Sequence, residues 1–152
     1  MDYAHIIIAI VAIWGAGLST YTLIRNIIKE KPRIKVKITF GVLAQGSHLS
    51  PRMLFLEANN VGKPAVTLSS CGLRLPKTAN QFLLFIPLGS NKRLPCKLSP
   101  WENLTVWMKE ASIMQNLKSS GFKNAVKVHG FYKDTVGNLY ISKPIKLKLN
   151  KY

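Results

Sequence analysis

Acidic side chains are scarce in this sequence. Its 152 residues hold six Asp and Glu against 22 Lys and Arg, a formal net charge of +16. Six carboxylates leave little for paired acid–base chemistry or for an all-oxygen metal cage. Cysteine is scarcer still, and two residues do not staple a small secreted fold. Cys71 and Cys96 have no histidine beside them in sequence, which speaks against an activated thiol nucleophile. The three histidines, His5, His48 and His129, show no HExxH- or CxxC-type ligand spacing. No Gly-Lys-Ser/Thr phosphate loop is present, and no GxGxxG precedes a helix. The expectation is a protein that is not an enzyme, with no catalytic residues, no cofactor and no metal.

Apolar residues are not scarce. They make up 47% of the chain, enough for a packed core and too many for intrinsic disorder. Their distribution is uneven. Residues 3–24, YAHIIIAIVAIWGAGLSTYTLI, contain no Asp, Glu, Lys or Arg. The run from Ile6 to Ile13 has no polar stripe of the kind a surface helix needs. At ~1.5 Å per residue such a helix crosses the ~30 Å of bilayer hydrocarbon. A cleavable signal peptide needs a basic leader and a shorter apolar stretch. Here Asp2 alone is charged before the run, so the span is expected to be retained.

Charge sets the expected orientation. Arg25, Lys29, Lys31, Arg33, Lys35 and Lys37 follow the span, opposed by Glu30 alone. The positive-inside rule places that flank in the cytoplasm, with the N-terminus outside. The expected address is the inner membrane, with residues 1–31 as a single-pass helix and basic flank. Tyr3 and Tyr21 fall where aromatic belts belong, and His5 at headgroup level. Ala12, Gly15, Ala16 and Ser19 repeat at small-xxx-small spacing, which permits close helix association and a homo-oligomer. The same residues are also common in membrane helices that do not associate.

Past Pro32 the period changes from helix to strand. Ile34, Val36, Ile38 and Phe40 alternate with Arg33, Lys35, Lys37 and Thr39. Further strands are expected at Met53–Ala58, Ala65–Leu68 with Cys71–Leu75, Phe82–Leu88, Leu104–Met108, Ala125–Tyr132 and Leu139–Leu149. Ser69-Ser70 reads as a bulge or a switch of face. Asn59–Pro64 and Lys133–Asn138 read as turns, and Lys109–Ser120 as a short helix closed by Gly121. About seven short strands in ~120 residues point to an antiparallel sandwich over 32–152.

The segment LEANNVGKPAVTLSSCGLRLP resembles the strand–turn–strand of bacterial immunoglobulin-like modules. The tail VHGFYKDTVGNLYISKPIKLKL resembles their last hairpin, with Asp134, Gly137, Tyr140, Ser142 and Pro144 in place. Small single-span bacterial proteins carry this combination. The resemblance covers residues 33–149 and implies an N-terminal transmembrane α-helix followed by an all-β immunoglobulin-like sandwich with one short inserted helix. It implies no catalytic residue, and the intersheet cysteine pair of antibody domains is missing, since Cys71 and Cys96 stand only 25 apart.

Basicity is the one functional feature that stands out. Residues 25–152 hold all 22 basic residues and five of the six acids, a net +17. Arg33, Lys35 and Lys37 share a face of the first strand, and Lys146 and Lys148 a face of the last, with Lys143 and Lys151 as extensions. One reading is edge protection against aggregation. Another is a face for anionic lipid, worth about 1 kcal/mol per basic group near the surface. An acidic protein is a third. Nucleic acid fits less well, because no aromatic platform interleaves with the lysines. The expected function is an interaction module held at an anionic membrane surface, a small subunit or recruiter in a complex with an unknown protein partner. By analogy of architecture, a membrane effector of an antiviral defence system, clustering and permeabilising the bilayer, is the alternative.

Overall fold

The computed structural model of the chain describes residues 3–46, 48–75, 82–84 and 87–149. Asp2 and Lys151 lie outside the described residues. Helix α1 runs Tyr3–Lys29, 27 residues and so about 40 Å long. Within Tyr3–Ile28 an 18-residue window has a mean hydropathy of 1.9, and none of it is buried. The hydroxyls of Thr20 and Thr22 donate to the carbonyls of Ala16 and Leu18 at 2.9 and 2.8 Å, so these two polar groups are satisfied inside the helix. The helix stops just short of Pro32, which disfavours helical backbone before it.

Twelve strands and a second helix follow among the described residues. In order they are β1 (Ile34–Gly41), β2 (Ala44–Gln45), β3 (His48–Leu49), β4 (Met53–Asn60), β5 (Val66–Arg74), β6 (Phe82–Leu84), β7 (Gly89–Ser90), β8 (Cys96–Leu98), β9 (Asn103–Lys109), α2 (Glu110–Ser119), β10 (Ala125–Asp134), β11 (Leu139–Ile141) and β12 (Ile145–Lys148). One sheet has the order β1-β4-β9-β7. The second has β11-β10-β5-β6, with β12 also on β10 and β8 also on β5, and β2 and β3 pair as a small two-stranded sheet. Every pairing is antiparallel. With β1, β4, β5, β7, β9 and β10 lettered A to F and β11 with β12 as G, the sheets are the ABED and CFG sheets of an immunoglobulin-like sandwich.

Three strands differ in detail from the sequence reading. Ala65–Leu68 and Cys71–Leu75 are one strand, β5, with Ser69 as an extra residue against β10: Ser70 pairs with Lys133 and Leu68 with Asp134. The bulge shifts the inward set from Val66 and Leu68 to Cys71 and Leu73, so both halves serve the same core. The last strand is split into β11 and β12 at Ser142–Pro144. Pro144 has no N–H for the ladder, and the Ser142 hydroxyl instead accepts from the Gly130 N–H at 2.8 Å. Of the strand expected at Phe82–Leu88, β6 forms the first part and residues 85–86 lie outside the described residues.

The core lies between the sheets. Leu54, Leu56 and Ala58 of β4 and Leu104 and Val106 of β9 meet Leu73, Val128, Tyr132 and Leu147. The Tyr132 hydroxyl crosses from β10 and donates to the Leu56 carbonyl at 2.7 Å. Burial pushes that phenol well above its ordinary pKa, with the nearby Cys71 and Glu57 adding to the effect, so it remains a donor. Helix α2 lays Ile113, Met114 and Leu117 on the core. It ends in a Schellman turn, in which Phe122 N–H reaches Leu117 O at 3.1 Å, Gly121 N–H reaches Lys118 O at 3.0 Å, and Gly121 has φ +87°.

The chain enters the sandwich four residues after α1 ends. The Arg33 carbonyl accepts N–H bonds from Val61 and Gly62 at 2.9 and 3.2 Å, which pins the linker to the β4–β5 turn. A Cβ at Gly62 would stand 2.8 Å from the Arg33 nitrogen and 3.2 Å from the Lys31 carbonyl, both backbone. Gly62→Ala is therefore expected to cost about 1–3 kcal/mol. Thermal unfolding of the detergent-solubilised full chain measures it, and an unchanged melting temperature would show that the linker is not clamped here.

Candidate functional site

The end of the sandwich where the chain enters can be traced through strand register. Ile34 pairs with Asn60, and Asn59 with Asn103, so the starts of β1 and β9 and the end of β4 lie together. Val66 pairs with Leu98, and Asp134 with Leu68, which adds the start of β5 and the ends of β8 and β10. Four loops therefore share this tethered end: Val61–Ala65, Asn91–Pro95, Ser99–Glu102 and Thr135–Asn138. The buried Asn60 side chain knits it, donating to the Pro64 and Leu98 carbonyls at 2.9 and 3.1 Å and accepting from Gly62 N–H at 3.0 Å.

Lys31, Arg33, Lys63 and Arg93 are exposed at this end. Its acids are mostly occupied. Glu102 accepts from Ser99 N–H at 2.9 Å and pairs with Lys92 at 3.0 Å, and the Ser99 bond first and Lys92 second hold its carboxyl below the usual range. Asp134 is buried in the hairpin. Burial alone would raise its pKa, but bonds from Asn138 Nδ2 and N–H, Tyr140 hydroxyl and Val136 N–H outweigh that and lower it. The same pair pushes the Tyr140 phenol up to about 12, burial first and Asp134 second.

Two large apolar side chains stand out at the same end, Trp101 and Val136, 84% and 85% exposed. Ser99-Pro100-Trp101-Glu102 is a β-turn closed by Glu102 N–H to Ser99 O at 3.1 Å. Trp101 has φ +67°, so with Pro100 before it the turn is type II and Trp101 occupies its glycine position. The sequence reading passed over this residue. The Ser-Pro-Trp-Glu string carried the turn, through Pro at its second position, but nothing local told that the indole faces out.

The basic residues singled out from sequence are spread by the fold. Arg25 is exposed on α1, Lys29 ends that helix, and nothing is described of the Lys29 side chain. Lys35 and Lys37 are exposed on β1, opposite the inward Val36 and Ile38. Lys146 and Lys148 are exposed on β12, opposite the buried Leu147. These strands belong to different sheets, but β1 also contacts β10 and β11, so the two edges lie beside each other, each lysine pair on the side of its strand turned from the core. Lys148 pairs with Ala125, which puts it at the far end of β10 from Asp134. Both strands lie at sheet edges. Ala12, Gly15, Ala16 and Ser19, spaced i, i+3, i+4 and i+7, share one exposed face of α1.

The interior groups are structural. His129 Nδ1 donates to the Ser142 carbonyl at 3.0 Å. Among the described residues no group of three or more His, Cys, Asp and Glu is arranged to hold a metal. Both cysteines are free thiols; Cys71 is buried and Cys96 partly exposed. The chain matches no protein-family model, and no curated protein matches it.

Two outcomes follow from these environments. Desolvation raises the Cys71 thiol to about 11, so a maleimide at neutral pH should label Cys96 in the native protein and Cys71 only after denaturation. Mass spectrometry of the labelled full chain reads this, and two adducts on the folded protein would contradict it. Asp134 binds its proton less tightly folded than unfolded, so its stabilisation is present above the ordinary value of 3.8 and is lost as pH falls through the lower folded value. Asp134→Asn should destabilise by about 1–3 kcal/mol at neutral pH. The gap to wild type should shrink in melts taken toward about pH 3.

Proposed function

We propose that this chain is a non-enzymatic, single-pass membrane protein of the inner membrane. Its N-terminus lies outside, and its basic sandwich is a cytoplasmic interaction module held at the anionic membrane surface. There it serves as a small subunit or recruiter for a protein partner. One observation carries this reading: a 27-residue, largely apolar helix that nothing among the described residues covers, followed at once by cations. Exposed apolar surface on that scale needs lipid or protein around it. Arg25, Lys31 and Arg33 at its C-terminal side favour the cytoplasmic leaflet. The remaining positive charge of the domain then faces a negative surface that attracts it within a Debye length.

Cys96 is a natural reporter of sidedness, being partly exposed in the sandwich. A membrane-impermeant maleimide should leave it unmodified in intact cells and modify it once the membrane is opened. Labelling in intact cells would reverse the orientation, and recovery of the full chain in the soluble fraction without detergent would remove the span itself.

A further inference from the structure

We infer that the tethered end of the sandwich seats directly on the headgroup layer of an anionic phospholipid bilayer. Trp101 and Val136 are the side chains that enter the layer, and Lys31, Arg33, Lys63 and Arg93 form a cationic rim around them. The inference rests on the membrane reading above and adds the face and the residues.

Three independent observations converge on it. The first is reach. Four residues separate α1 from β1, five steps along the backbone, so at ~3.5 Å each the sandwich begins within about 18 Å of the helix end. The Arg33 carbonyl bonds hold the β4–β5 turn at that point, and Trp101 N–H bonds to the Asn60 carbonyl beside it at 2.8 Å. The second is exposure against conformation. A bulky side chain at positive φ is unfavourable, and glycine is the residue this turn position selects. Trp101 sits there with 84% of its surface in solvent, so it recovers little packing inside the fold. Such strain persists where something outside the fold uses the residue. Tryptophan is the side chain enriched at membrane–water interfaces, where its ring and its N–H are both accommodated. The third is charge. The four rim cations are exposed, while Glu102 is paired with Lys92 and Asp134 is enclosed by hydrogen bonds, leaving Glu30 as the exposed carboxylate nearby. Basic groups near an anionic surface each contribute about 1 kcal/mol of attraction, and apolar side chains inserted among them supply the short-range part.

The test uses the full chain in nanodiscs of phosphatidylglycerol and phosphatidylcholine, with bromine-labelled acyl chains as short-range quenchers of indole. In a Trp14→Phe/Trp107→Phe chain, whose one indole is Trp101, emission should be blue-shifted and quenched by bromines near the headgroups, and in a Trp14→Phe/Trp101→Gly chain, which keeps Trp107 alone, that quenching should disappear. Changing Lys31, Arg33, Lys63 and Arg93 to Gln, or omitting phosphatidylglycerol, should abolish that quenching. Changing Lys146 and Lys148 to Gln at the far end should leave it intact. Trp14 of a Trp101→Gly/Trp107→Phe chain reports separately on the span through bromines deep in the bilayer. Quenched Trp14 with water-exposed, unquenched Trp101 overturns the seat and leaves the span standing. Loss of both signals overturns the seat together with the membrane reading. Quenching of Trp101 that ignores lipid charge overturns the cationic rim. Glycine suits φ +67°, so Trp101→Gly should melt no lower than wild type; a lower melting temperature would show the indole is kept by the fold, against the proposal.

Discussion

The short clasp between the linker and the β4–β5 turn governs how the two halves of this protein relate. A single carbonyl, that of Arg33, holds two N–H groups, and Gly62 packs against backbone where no side chain fits. A flexible linker would let a tethered domain present any face to its surroundings. Four residues anchored in this way allow one end of the sandwich to lie near the end of the helix. That end carries Lys31, Arg33, Lys63 and Arg93, an outward indole and carboxylates occupied by neighbours.

Sandwich closure decides what happens to the rest of the charge. β1 and β12 belong to different sheets, and each carries its exposed lysine pair opposite residues of the core. Both pairs lie on edge strands, where a lysine discourages pairing with a second sheet. Their arrangement thus has a sufficient structural account without a ligand. The inward faces are fully apolar apart from groups that satisfy one another, such as the Tyr132 hydroxyl on the Leu56 carbonyl and Asn60 across its turn. No buried side-chain nitrogen or oxygen among the described residues lacks a partner. A core of this kind stabilises the fold by burial, and its polar groups are committed to holding strands in place.

Much of the architecture was legible in the sequence because it depends on local periodicity. An uncharged stretch of 22 residues reads as a span whatever follows it, and alternation from Ile34 to Phe40 reads as a half-buried strand. Gly121 at φ +87° and the Asp134–Asn138 turn were equally local. The Ser69 bulge was marked by a change of phase between Leu68 and Cys71, and the split of the last strand had its cause in Pro144. What the sequence did not carry lay at distance. How Arg33, Lys35 and Lys37 stand relative to Lys146 and Lys148 depends on which sheet each strand joins.

By itself, then, the chain's order of residues determined the helix, the strands, their inward faces and the sign of the charge, because each is settled within a turn or a pleat of backbone. Only the tertiary structure decided which loops gather at the tethered end, and so that Trp101, Val136, Lys31, Arg33, Lys63 and Arg93 share it. Strand pairing across tens of residues sets those neighbours, and no local pattern encodes it.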